Sequence, residues 1–207
     1  SDVYKRQLIH TKDNRKITDI GQSKIRYLKQ IKKNKICAIC QTNTSIGLVI
    51  KTYYVYLNQP RIDIKYEFKL QSIIPIFFRA GILTINPECF DIKKLRYQTI
   101  NGGFDIETFK FHKKKIEQDI PPDIGISSRN CLGSSEGWLS VSDDKKELII
   151  VTDKSLQYSV PLLHFEKIKD SYFLRILNTI YETDETSKNN MRTHINMFFS
   201  LIGRPKK

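Results

Sequence analysis

Long apolar runs are missing from this chain. The most hydrophobic stretch, Ile73 to Ile85, is interrupted by Arg79, and a spanning helix needs about 18 or more consecutive apolar residues. A transmembrane helix is therefore not expected, and no signal peptide is visible. Cysteine is sparse, with four residues in 207. Cys37-Ala38-Ile39-Cys40 has the spacing of half a zinc site, but no second pair exists, because Cys89 and Cys131 stand alone. The segment Lys35 to Thr42 also reads as a strand, in which residues three apart point to opposite faces. Buried free thiols are thus expected, with no metal and no cofactor, and without a disulfide framework a cytoplasmic setting is favoured.

Acidic residues are the scarcer charge: 22 Asp and Glu face 35 Lys and Arg, for a formal net charge of +13. The excess is uneven. Residues 1 to 36 carry eleven cations and three acids, a net +8, which leaves +5 for the other 171 residues. A basic arm of this kind suits phosphate neutralisation, so a nucleic-acid-binding adaptor is one reading. Against it, stacking aromatics are not interleaved with the cations, and a chain rich in Ile, Lys and Asn carries a genome-level bias that raises charge without a ligand. Residues 1–16 are accordingly read as a peripheral basic segment, 17–202 as one domain and 203–207 as a basic, solvated tail. Ser1 to Gln7 reads as an assembly scar, and the chain is expected to be the C-terminal part of a longer polypeptide.

What is present in quantity is strand pattern. With 40% hydrophobic and 11% aromatic residues, the chain can fill a sizeable core. From Pro60 to Leu70, Ile62, Ile64, Tyr66, Phe68 and Leu70 fall on one face, while Asp63, Lys65, Glu67 and Lys69 fall on the other, the period of a half-buried strand. Gly47 to Leu57 reads as its neighbour across the Asn58-Gln59-Pro60 turn. Further strands are predicted at 92–99, 104–112, 137–142, 147–152, 157–163 and 172–181, with Asn101-Gly102-Gly103 as a turn that reaches positive φ. No segment from 40 to 182 sustains a helical period. The predicted fold is therefore mostly β, a large antiparallel two-sheet sandwich, supersandwich-like, with few or short helices.

Several motifs carry chemistry on paper. Gly133-Ser134-Ser135-Glu136-Gly137 matches the G-x-S-x-G nucleophile elbow, but the elbow needs a following helix, and Gly137 to Ser142 alternates like a strand. Glu182-Thr183-Asp184-Glu185 clusters carboxylates that would suit glycoside chemistry or Ca²⁺, or simply solvate a strand end. Trp138, the sole tryptophan, stands beside the long polar loop from Glu117 to Glu136 and offers a flat face for a sugar ring, or a core side chain. Arg129, Asn101, Glu107 and His164 lie near predicted strand ends. Candidate ligand-binding residues are thus Trp138, Arg129, Asn101, Glu107, His164 and Glu182, with no catalytic set.

The runs Pro60 to Tyr66, Arg79 to Pro87, Leu95-Arg96-Tyr97 leading to Asn101-Gly102-Gly103, and Ser127-Ser128-Arg129 leading to Gly137-Trp138 have a familiar order. With Val160 to Leu163, Leu174-Arg175-Ile176 and Glu182 to Glu185, the chain resembles the β-rich domain that follows the catalytic barrel in α-mannosidase-like and α-amylase-like glycoside hydrolases. The resemblance covers roughly residues 45 to 190 and is one of style and order. It implies a galactose-mutarotase-like sandwich that packs on an upstream catalytic domain of the same polypeptide, lends loops to a glycan site and leaves bond cleavage to that domain. A stand-alone aldose epimerase would instead cast His164 as acid with Glu107 or Glu182 as base.

Overall fold

In the computed structural model, residues 9–18, 23–72, 75–111, 113–116, 130–156, 159–182 and 192–206 are described. They form fifteen strands and one short 3-10 turn, Pro87–Cys89. One sheet has six strands, in the order β10 (Cys131–Gly133), β13 (Val160–Ile168), β14 (Ser171–Glu182), β7 (Pro75–Ile85), β1 (Ile9–Thr11) and β2 (Lys16–Ile17). The other has nine: β3 (Lys24–Lys32), β4 (Lys35–Thr44), β5 (Gly47–Tyr56), β6 (Arg61–Leu70), β15 (His194–Pro205), β12 (Lys146–Thr152), β11 (Trp138–Ser142), β8 (Arg96–Thr99) and β9 (Glu107–Lys110). The strand pairings are antiparallel. This is the mostly-β sandwich that the alternating pattern implies. No helix among the described residues is long and apolar enough to cross a membrane.

The core forms where the two sheets face each other. Phe68 of β6 meets Phe78 of β7 edge-on at 4.8 Å between ring centroids, the geometry that the ring quadrupoles favour. Tyr66, Ile64, Phe199, Met197, Ile150, Leu139 and Val141 of the larger sheet are buried with Ile9, Ala80, Ile176, Leu174, Leu163 and Phe165 of the smaller. A polar contact also crosses the interior, where Thr152 Oγ1 donates to Asn178 Oδ1 at 3.2 Å. Gly81 is required by this closeness: its φ is +61°, and a Cβ there would lie 2.5 Å from the Phe199 ring.

The alternation of β6 is realised, with Ile64, Tyr66, Phe68 and Leu70 buried. The strand at Cys37 puts that residue opposite Tyr54 and Cys40 opposite Lys51, so the two thiols lie on opposite faces and both are free. Gly102 adopts φ +68° in its turn. Three long strands carry no expectation from sequence: β3, β7 and β15. Two boundaries also differ. Ile9 is completely buried and pairs with Phe78, so the segment read as peripheral contributes a strand to the smaller sheet. Gly203, Arg204 and Pro205 pair with Leu148, Glu147 and Lys146, so the end read as a solvated tail completes β15 instead.

Candidate functional site

The turn joining β8 to β9 is tied to the turn that precedes β11. Asn101 does both jobs: its Nδ2 donates to Glu107 Oε2 at 3.1 Å, and its Oδ1 accepts from the Ser135 amide at 2.9 Å. In return the Gly102 amide donates to Ser135 Oγ at 3.1 Å. Glu136 donates its amide to Ile100 O at 3.2 Å, and its carboxylate accepts from Lys154 Nζ at 3.3 Å. Ser134 Oγ donates to the Trp138 carbonyl. Gly137 fits here because its φ is +74° and a Cβ would meet Thr152 O at 2.9 Å. Three of the predicted residues, Asn101, Glu107 and Trp138, are therefore gathered at one edge. Asn101 is bonded to a residue three before Trp138, a chain reach of no more than about 11 Å.

Trp138 is half-buried rather than sealed between the sheets. It stands opposite Val151, which stands opposite Ser200, which stands opposite Asp63 and then Tyr54. Directly opposed residues share a face, so Trp138 belongs to the outer face of the larger sheet, away from the core. That face is highly organised. Asp63 accepts from Tyr56 Oη at 2.8 Å, Arg61 Nε at 2.7 Å and Ser200 Oγ at 2.8 Å. Glu147 likewise accepts from Ser140 and Arg204. Burial alone would raise both carboxyls, but these donors outweigh it and hold them below the usual carboxylate range.

The other predicted residues go elsewhere. Glu182 accepts two bonds from Arg79, at 2.6 and 2.8 Å, and a third from Thr179 at 2.8 Å. It ties β14 to β7 on the smaller sheet. His164 stands opposite Arg175 and edge-on to Phe173. Arg175 precedes Glu182 by seven residues on β14, about 23 Å of strand, so His164 and Glu182 do not meet as an acid–base pair. Arg129, most of the loop from Glu117 to Glu136, Thr183, Asp184 and Glu185 lie outside the described residues. Ser135 is followed by β11, not by a helix, and its Oγ engages Gly102 and Glu136 rather than a histidine. The nucleophile elbow is absent. The Cys131 thiol is pushed up to about 11 by burial, with Arg79 opposing and Glu182 reinforcing that shift, so it is no thiolate at neutral pH.

Two clefts at the far end of the β8–β9 hairpin were not foreseen. One, of about 340 Å³, is lined by Ile92, Lys93, Lys94, Leu95, Arg96, Lys110, Phe111 and Asp144. Its neighbour, of about 290 Å³, shares Lys110 and Phe111 and is floored by Tyr97, Phe109 and Phe165. Lys93-Lys94 and Arg96 were visible in sequence as cations ahead of a strand, but nothing in one dimension shows that Lys110 stands opposite Arg96. Compared with known proteins, the chain matches no family model and no curated sequence.

Proposed function

We propose that this chain is a glycan-binding β-sandwich, the C-terminal support of a carbohydrate-active enzyme whose bond-breaking carboxylates reside in an upstream domain of the same polypeptide. The observation that carries the reading is the edge where Trp138 stands three residues along the chain from Ser135, whose amide bonds Asn101, which in turn bonds Glu107. A sugar presents one apolar face of C–H groups and a rim of hydroxyls, and it is held by a flat aromatic beside fixed donors and acceptors. Trp138 supplies the flat surface. Asn101, Ser135 and Glu136 are held in place by their mutual bonds, so little side-chain freedom is lost on binding.

Three of the described carboxylates are tied into the fold in a way that suits binding rather than cleavage. Glu182, Asp63 and Glu147 are each engaged by cationic and hydroxyl donors, whereas glycoside hydrolysis needs one carboxyl raised in pKa beside a second. The reading is tested by isothermal titration with α-linked manno- and gluco-oligosaccharides. Saturable binding that weakens about tenfold in Asn101→Ala, a loss equal to one or two good hydrogen bonds, supports it. Equal affinity in wild type and variant, or turnover of aryl glycosides by the chain alone, contradicts it. A second reading, binding of an anionic ligand, is favoured by the cations around the larger cleft, and Lys93→Glu with Lys110→Glu separates it from the first.

A further inference from the structure

The larger sheet has nine strands to the smaller's six, and one of its two edges is β3. Every residue of β3, Lys24 to Lys32, is exposed. It occupies an edge of the nine-stranded sheet, with β4 its partner among the described strands. Four of its nine residues are nevertheless large and apolar: Ile25, Tyr27, Leu28 and Ile31. The registers show what this surface is. Leu28 stands opposite Ala38, Ala38 opposite Tyr53, and Tyr53 opposite Ile64. Exposure along that row rises from 7% at Ile64, in the core, to 66% at Leu28. The core-side face of the sheet thus continues past the smaller sheet that covers it.

We propose that β3 is a docking edge for an acidic, extended segment of a partner protein, which adds a tenth strand and covers this overhanging face. An edge strand offers a row of main-chain donors and acceptors to such an addition, and alternate side chains decide which strand is accepted. Here the side chains are Lys24, Arg26, Lys29 and Lys32, with no acid in β3. That composition disfavours a second copy of the chain, because antiparallel β3–β3 pairing brings eight cations together with no acid and sets Lys24 opposite Lys32. It accepts a strand whose carboxylates meet those cations and whose intervening apolar residues extend the Ile25–Leu28 face. Phosphate neutralisation alone would leave Ile25 and Leu28 without a role.

The full chain is titrated with a fluorescent nine-residue peptide of alternating Glu and Val, against three probes: the alternating Lys–Val peptide, a Glu–Val peptide of the same composition with its glutamates grouped, and oligothymidylate. The alternating acidic peptide is expected to bind about tenfold or more tightly than each of the others and to slow amide exchange across β3. Lys29→Glu and Leu28→Ser, both at exposed positions, weaken it about tenfold, while Phe104→Ser, exposed elsewhere, leaves it unchanged. Equal binding of the grouped peptide or of oligothymidylate would show a mere polyanion surface and overturn the proposal. So would no binding, or a dimer in sedimentation whose β3 amides are already protected.

Discussion

Ser200 of β15 donates its hydroxyl to Asp63 of β6 at 2.8 Å across 137 residues of sequence, at the centre of the larger sheet and on the face that looks away from the core. The same carboxylate receives Arg61 and Tyr56, and Lys35 Nζ reaches Tyr56 Oη at 3.0 Å. Four strands, β4, β5, β6 and β15, are thereby stitched by one charge that is almost entirely buried. Its energetics are testable.

Asp63→Asn is expected to cost about 2 kcal/mol at pH 7, since hydrogen bonds to a charged group are being replaced by weaker neutral ones. The folded pKa of Asp63 is lowered, so its contribution is fully present above the unfolded carboxyl value, about 4, and is lost as pH falls through the folded value. Urea unfolding at pH 7 and at progressively lower pH checks this. The difference between wild type and variant should shrink below about pH 4, and a difference that stays constant would contradict the assignment.

Gly81→Ala is expected to destabilise by about 3 kcal/mol, combining the cost of a left-handed backbone with overpacking against a filled core. The added methyl would lie 2.5 Å from the Phe199 ring across the interface between the sheets. Gly103→Ala is the control, because nothing lies within 4 Å of its Cβ position, and it should change stability by less than about 0.5 kcal/mol. Thermal unfolding of the two variants distinguishes them.

Glu182→Gln is expected to lower stability by about 2 kcal/mol by removing the carboxylate charge from its paired contact with the largely buried Arg79, a value reduced for residual solvent exposure. Oligosaccharide affinity should be unchanged, because Glu182 ties β14 to β7 on the smaller sheet rather than joining the Trp138 edge. A parallel measurement of unfolding and binding reads both quantities, and loss of binding at preserved stability would move the site to the smaller sheet.

The strands with one buried face were legible because their period is written in the residues, as at Ile62 to Leu70. β15 was missed although Ile195, Met197 and Phe199 alternate in the same way, and strands without that contrast were missed as well. Pro75–Ile85 is apolar on both faces and interrupted by Arg79, whose partner Glu182 lies 103 residues away. Lys24–Lys32 is exposed on both faces, so its pattern has no burial to report. The tail residues Gly203 to Pro205 look like a solvated end until β12 is placed beside them. At the candidate site, Trp138 and Asn101 were legible as residue types near turns. The bond between Asn101 and Ser135, and the departure of His164 and Glu182 to the other sheet, follow from strand order, which local sequence does not encode.

The most direct measurement exploits the fact that Trp138 is the sole tryptophan, half-buried on an outer face, so that fluorescence under tryptophan-selective excitation reports on this one site. Titration of the wild-type chain with α-linked manno- and gluco-oligosaccharides is expected to give a saturable change in emission for at least one of them, and Trp138→Phe is expected to weaken binding of the same sugar about tenfold in calorimetry while costing less than about 1 kcal/mol of stability. A flat fluorescence titration in which calorimetry still detects sugar binding, or no binding of either class, would contradict a glycan site at this edge.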